Sequence, residues 1–238
     1  MRLLLILSGI FLAFATTTTT SSSAPGLGSL PLDAPVSTGT TLVAARYGGG
    51  EEEEGGIIVG ADSRTSRSGY VSNRYAQKLS VVSSNIVVAR SGSAADTQHL
   101  VEELTLELLE LERSRSSESL SLPRVSTAAH ILRRRSYANK DALSASLLCA
   151  GWDPVRGLQI YNIPKGGTLM PSSSFALAGS GSTFVYGWCD RCWRADMTRE
   201  ECIEFVGHAL ELAMGRDGSS GGRECLIEIA PGGGCRHI

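Results

Sequence analysis

The chain has 238 residues, 42% of them hydrophobic, enough to bury one sizeable core and too few for two. Twenty-two basic residues against 24 acidic ones leave a formal charge of -2, which excludes the strongly basic footprint of a nucleic-acid binder. Six cysteines are too sparse for a disulfide scaffold.

In chain order, Met1-Arg2 is followed by the apolar run Leu3 to Ala15, ending in Ala13-Phe-Ala15, and then by the hydroxyl tract Thr16 to Ser23. That opening fits a secretory signal peptide and is too short for a transmembrane span. The Ser/Thr/Gly/Pro stretch to Ser37 has little to bury and is expected to lack fixed structure. From Thr40 the pattern changes: Thr40 to Tyr47 reads as a strand and Gly56 to Gly60 as its buried partner. Between them, Gly48 to Gly56 encloses four consecutive glutamates, Glu51 to Glu54, which repel one another and suit a solvated, elongated hairpin tip better than a cation site.

Further strands are expected at Leu79 to Val82, Ile86 to Ala89, Ala145 to Ala150, Gly157 to Tyr161, Ser174 to Leu177 and near Cys225 to Ala230. Asp96 to Glu112 carries the helical repeat Leu100, Leu104, Leu108, Leu111, while Ser126 to Arg135 and Arg199 to Met214 also suit amphipathic helices. Thr198-Arg-Glu-Glu201 is a capping box before the last of these, and Ser114 to Leu122 reads as a loop. Helices bunched between strand groups favour a layered α/β domain over a strictly alternating parallel fold. Arg113/Arg115 and Arg133/Arg134/Arg135 lack interleaved aromatic residues, so they read as a solvated helix face or a subunit contact. Cys189 and Cys192 form a CxxC that reads first as structural or incidental thiols, with redox use or half a metal site as the alternatives. His99, His130, His208 and His237 stand in unrelated contexts, the first three in helix-like stretches where packing or surface roles are expected.

No nucleophile elbow, P-loop or dinucleotide fingerprint is present. Ser91-Gly-Ser93 and Gly179-Ser-Gly-Ser182 are individually ordinary tight turns, but they keep specific company. The stretches Gly39-Thr-Thr41, Gly60-Ala-Asp-Ser-Arg64, Arg90-Ser-Gly-Ser-Ala-Ala-Asp-Thr-Gln98, Ala150-Gly-Trp-Asp-Pro154, Gly179-Ser-Gly-Ser182, Met197-Thr-Arg-Glu-Glu-Cys202 and Arg216-Asp-Gly-Ser-Ser-Gly-Gly222 follow one another between Gly39 and Gly222. Together they resemble the beta subunits of the 20S proteasome, most closely the beta-one, caspase-like type.

The resemblance implies a four-layer α-β-β-α sandwich of the N-terminal nucleophile hydrolase type with largely antiparallel sheets. It implies a propeptide over residues 1–39, cut at Gly39–Thr40, and a peptidase domain over 40–238. A cut there would create a threonine with both a hydroxyl nucleophile and a free α-amine. An α-amine titrates at about 7.7–8.0, so it can accept a proton near neutrality where an amide nitrogen cannot. Lys78 matches the family's catalytic lysine and Asp62 its acidic partner, although by composition alone an Asp/Lys pair reads as a structural salt bridge. Ser180, Asp217 and Ser220 match the polar group around the threonine amine, Gly92 the backbone oxyanion donor, and Arg90 the pocket residue that favours acidic side chains before the scissile bond. A guanidinium fork suits a carboxylate.

The resemblance further implies stacked seven-membered rings with alpha and other beta subunits, unfolded polypeptide substrates, a cytoplasmic and nuclear location, and no cofactor, metal, nucleic acid or membrane. The leader then reads as a propeptide and not a secretion signal. Gly48 to Gly56 and Ser114 to Leu122 are longer than the family pattern, and Arg223 to Ile238 is less typical. A catalytically silent ring subunit, or an N-terminal nucleophile hydrolase acting on small amides, are the competing readings.

Overall fold

The computed structural model describes residues 37–48, 55–67, 70–114, 122–232 and 234–238. The leader before residue 37, the glutamate run and most of the Ser114 to Leu122 segment lie outside the described residues.

Strands β1 (Ser37–Thr38), β2 (Leu42–Tyr47), β3 (Gly56–Asp62), β4 (Thr65–Arg67), β5 (Tyr70–Asn73), β6 (Leu79–Ser83) and β7 (Ile86–Ser93) lead into helices α1 (Ala94–Ser114) and α2 (Val125–Ala138). The second half holds β8 (Ala145–Asp153), β9 (Gly157–Ile163), β10 (Met170–Ser172), β11 (Phe175–Ala178), a 3-10 turn at Ser180–Phe184, α3 (Tyr186–Cys192), α4 (Arg199–Met214), β12 (Glu224–Ala230) and β13 (Gly234–His237). One large sheet runs β1-β7-β8-β9-β10, with β6 also paired to β7; a second runs β11-β2-β3-β12-β13, and β4 and β5 form a separate two-stranded ribbon. Their pairings are antiparallel.

Side-chain alternation along the strands builds the layers. In β7, Ile86 and Val88 face α1 and α2, while Val87 and Ala89 face the second sheet; Leu147/Cys149 and Leu148/Ala150 of β8 divide the same way. In β2, Leu42 and Ala44 join the space between the sheets, whereas Val43, Ala45 and Tyr47 pack under α4 with Phe205, Val206 and Leu210. Three apolar interfaces result, giving the expected α-β-β-α sandwich. Both faces of each central strand are covered, which is why these strands read as continuous apolar runs and not as alternating ones. Each fully buried leucine or isoleucine contributes about 1.5–3 kcal/mol.

The expected elements are present, with shifted ends. The first strand begins at Leu42 and not Thr40, because the Thr41 amide donates to the Asp62 side chain (2.9 Å) before regular pairing starts. The strand from Ile86 continues past Ala89 to Ser93, and that from Gly56 continues to Asp62. Sequence periodicity missed β1, β4, β5, β10, β13 and α3, all of seven residues or fewer, too short for a period to register. The capping box at Thr198 and Glu201 is formed in both directions. The second arginine patch fastens helix to helix: Arg135 reaches Glu103 and Glu107 of α1, and Arg134 reaches Glu107 at 3.1 Å. No helix among the described residues is long and apolar enough to cross a membrane.

Candidate active site

Asp62 closes β3 with no exposed surface and accepts four hydrogen bonds. Lys78 Nζ (2.8 Å) and the Thr41 amide (2.9 Å) donate to Oδ1; the amides of Gly221 (2.8 Å) and Arg64 (3.2 Å) donate to Oδ2. One side chain thus ties the residue after Thr40 to Lys78 and to the loop after α4. Lys78 is 3% exposed, and its ammonium also donates to the carbonyl oxygen of Gly39 at 2.7 Å. Burial pulls its pKa down from the ordinary lysine value, and the charge and hydrogen bond of Asp62 only partly restore it.

Thr40 is fully buried. Its amide donates to Ser180 Oγ at 3.2 Å, and its carbonyl accepts from the Gly181 amide at 3.2 Å. The hydroxyls of Ser180 and Ser220 both donate to Asp217 Oδ2 at 2.7 Å, while the amide and hydroxyl of Ser219 donate to Oδ1 at 3.0 and 2.8 Å. Burial works to raise the Asp217 pKa, but these hydrogen bonds prevail and hold it below the usual carboxylate range. Gly39 lies hard against this loop: a Cβ there would fall 1.9 Å from the Cβ of Ser219, so only glycine fits before Thr40.

The backbone of β1 pairs antiparallel with the end of β7, Thr38 opposite Gly92 and Ser37 opposite Ser93. The two residues before Gly39 therefore lie as a strand beside the expected oxyanion donor. Arg90 of β7 lines a cavity of about 320 Å³ together with Lys78, Thr65, Gln77, Thr97 and Gln98. Its amide donates to the Lys78 carbonyl at 2.8 Å and its guanidinium to the Gln77 carbonyl. Arg90 Nε is buried without an acceptor. Burial lowers the guanidinium pKa, so the pocket is lined by a partly desolvated cation.

The fold thus gathers Thr40, Asp62, Lys78, Ser180, Asp217 and Ser220 around the Gly39–Thr40 bond, with Gly92 and Arg90 on the adjoining strand. Sequence reading missed Thr41, whose hydroxyl donates to Ser220 Oγ at 2.9 Å, and Ser219 and Gly181. Their immediate neighbours Thr40, Ser220 and Ser180 were the available signal. The CxxC lies in α3, with Cys189 in the core under the second sheet and Cys192 half-buried beside it. Burial pushes the Cys189 thiol up to about 12. Among the described residues no cluster of three or more histidines, cysteines or carboxylates is arranged to hold a metal. His99 and His130 are exposed on α1 and α2, His237 on β13, and His208 of α4 stacks on Trp188.

A family model described as proteasome subunit matches residues 36–229. Over 199 residues the chain is 44% identical to proteasome subunit beta type-6 of Dictyostelium discoideum, covering 83% of this chain and 88% of that protein. It is 39% identical to proteasome subunit beta type-1 of Saccharomyces cerevisiae over 83% of this chain and 86% of that protein. Against proteasome subunit beta type-9 of Homo sapiens it is 40% identical, over 87% and 89% of the two chains.

Proposed function

The chain belongs to the proteasome subunit family, among beta-type relatives, and from that premise we propose that it is a threonine endopeptidase of the 20S particle that cleaves after acidic residues. Residues 1–39 are its propeptide and Thr40 its nucleophile. The observation that carries this reading is the bridge made by Lys78, whose ammonium donates at once to Asp62 and to the Gly39 carbonyl, the carbonyl of the bond to be cut.

In the precursor, Lys78 polarises that carbonyl while the adjacent Thr40 hydroxyl attacks it. The Thr40 nitrogen is still an amide, so the proton passes to a water or a neighbouring side chain. Cleavage then leaves an α-amine at the position where Ser180 and, behind it, Asp217 accept hydrogen bonds. The negative charge of Asp217 favours the protonated amine that forms when the hydroxyl gives up its proton, and the Lys78 charge opposes it, which keeps the amine a working base near neutrality.

A peptide substrate follows the line already drawn by β1, antiparallel to β7, so that its carbonyl meets the Gly92 amide and its side chain enters the cavity at Arg90. An acidic side chain there meets the charge of the Arg90 guanidinium that lines the cavity. Attack gives an acyl-enzyme, the amine donates its proton to the leaving nitrogen, and water completes hydrolysis. Alpha and other beta subunits in stacked rings are the partners, unfolded polypeptides the substrates, and cytoplasm and nucleus the location.

N-terminal sequencing of the assembled particle, paired with fluorogenic peptides bearing acidic, basic or apolar residues before the cut, tests this. The expected terminus is Thr40, with acidic-peptide cleavage lost by more than about 10³-fold in T40A. R90A is expected to lower the acidic preference by about 10-fold or more while sparing the other peptides. A terminus at Thr16 would overturn the maturation scheme. An uncut terminus would make the chain a silent ring subunit, and equal cleavage of all three peptides would remove Arg90 from specificity.

A further inference from the structure

Ser63 follows Asp62 in the short link between β3 and β4, is 3% exposed, and has every polar group engaged. Its hydroxyl donates to the Arg74 carbonyl at 2.7 Å and accepts from the Arg223 amide at 2.8 Å. Its own amide donates to the Gly221 carbonyl at 3.2 Å, and its carbonyl accepts from the Ala76 amide at 2.9 Å. Two of these bonds therefore go to residues 74–76 and two to residues 221–223.

Those two segments have different duties. Residues 74–76 run into Gln77 and Lys78: the Gln77 carbonyl holds the Arg90 guanidinium, and the Lys78 carbonyl accepts from the Arg90 amide. Residues 221–223 continue the loop that carries Asp217 and Ser220, and the Gly221 amide is one of the four donors to Asp62. The hydroxyl is directional, accepting a hydrogen bond from one segment and donating one to the other, so it fixes their spacing as well as their contact. Gly222 has a positive φ of 92°, and a Cβ there would come within 2.4 Å of Ser63 Oγ. Residue 222 must stay bare for the hydroxyl to occupy its place.

We propose that Ser63 is a positioning residue that couples the acidic-side-chain pocket to the loop around Thr40, so that one hydroxyl sets selectivity and turnover together. The inference rests on the reading of Thr40 as nucleophile and of Arg90 as the pocket cation. Ser63 touches neither substrate nor the reacting atoms. Removing its hydroxyl strips an acceptor from the Arg223 amide and a donor from the Arg74 carbonyl, and both segments shift to recover partners or water. A shift of 1 Å at a remote support can cost about 10²-fold in rate; a fraction of that is expected here.

The test compares assembled wild-type, S63A and G222A particles on the acidic, basic and apolar peptides, with active sites counted by a covalent threonine-directed probe. In S63A, kcat per active site on the acidic peptide should fall on the order of 10-fold, and the acidic-over-apolar preference several-fold. G222A, which leaves Ser63 in the sequence but crowds its hydroxyl, should move both quantities the same way. A merely structural role would reduce the count of active sites and leave the preference untouched. Equal losses on all three peptides in S63A, or no change, would overturn the coupling. A wild-type particle without acidic preference would instead overturn the underlying reading of the pocket, and the two failures are told apart by the wild-type data alone.

Discussion

Two buried carboxylates stand on neighbouring strands of one sheet, each paired with a cation, yet the pKa values of the two cations, Arg199 and Lys78, move in opposite directions. Glu228 of β12 is 2% exposed and is held by Arg199 Nε (2.6 Å) and Nη2 (2.9 Å) and by the Tyr47 hydroxyl (2.9 Å). Arg199 draws the Glu228 pKa down against its burial, and Glu228 in turn draws that of Arg199 up. Both partners are driven toward their charged forms. At Asp62 the bonds are as short, but burial of Lys78 outweighs its partner and loosens its proton. A cation partly open to water can satisfy a buried carboxylate and remain solvated, as the 32% exposed side chain of Arg199 does; one that is 3% exposed cannot. The first arrangement favours both charged forms, whereas the second holds a buried ammonium below its ordinary pKa between a carboxylate and the Gly39 carbonyl.

Removing the cation from the second cluster should have the larger effect. In K78M, cleavage of the acidic peptide should fall by at least about 10²-fold, because the charge that keeps the Thr40 amine a working base is lost. Precursor processing at Gly39–Thr40 should slow with it. Because the variant leaves Asp62 buried without its counter-charge, a stability loss of about 3–5 kcal/mol accompanies it. The double variant K78M/D62N separates the two: it removes the unpaired charge but turns an Asn NH2 toward at least one backbone amide donor, so denaturant unfolding should recover only part of the stability while peptide cleavage stays lost. Recovery of activity in the double variant would make Lys78 a structural partner like Arg199.

The mirror experiment is E228Q. It should cost about 2 kcal/mol, as charge-assisted hydrogen bonds do, at the low end because solvent screens Arg199. Activity per folded subunit should be unchanged. The Glu228 pKa is depressed in the folded state, so its stabilisation is present above the ordinary glutamate range and lost as pH falls through the folded value. The gap between wild type and E228Q should therefore be full near neutrality and shrink in acid. Denaturant titrations at several pH values read this directly; a gap constant with pH would mean that Glu228 acts by packing and not by charge.

How much of each region could be read in the sequence follows from what carries the contacts. The central strands were legible because Ile57 to Ala61, Ile86 to Ala89 and Leu147 to Ala150 are apolar without interruption, and α1 because its leucines recur at helical spacing. The pieces of the candidate site were legible only through resemblance: Thr41 and Ser220 touch across 179 positions, and no local pattern announces that contact. Glu228 went unnoticed altogether. It alternates with Ile227 and Ile229 like any outward polar residue of a strand, and nothing local says that Tyr47 and Arg199 close over it. Much of the Asp62 environment is made by backbone amides, those of Thr41, Arg64 and Gly221, which have no residue-type signature.

The smallest effect tests whether the two clusters are independent, since α4 connects them. Its first residue, Arg199, binds Glu228, and its last turn leads through Gly215 and Arg216 to Asp217. Thr198 caps the helix: its hydroxyl accepts from the Glu201 amide at 3.2 Å, and its own amide donates to the Glu201 carboxylate at 3.0 Å. T198A removes the first of these and should cost about 1 kcal/mol, less than E228Q, because the first turn stays tethered through Arg199. A frayed first turn lies some twenty residues before Asp217 in a packed helix whose Phe205, Val206, Ala209, Leu210 and Ala213 remain buried. Activity per folded subunit, its pH profile and the acidic preference should all stay at wild-type values while unfolding shifts. If T198A instead moves the pH profile, the helix transmits its N-terminal state to the loop that holds Asp217, and the separation between a locking cluster and a reactive one fails.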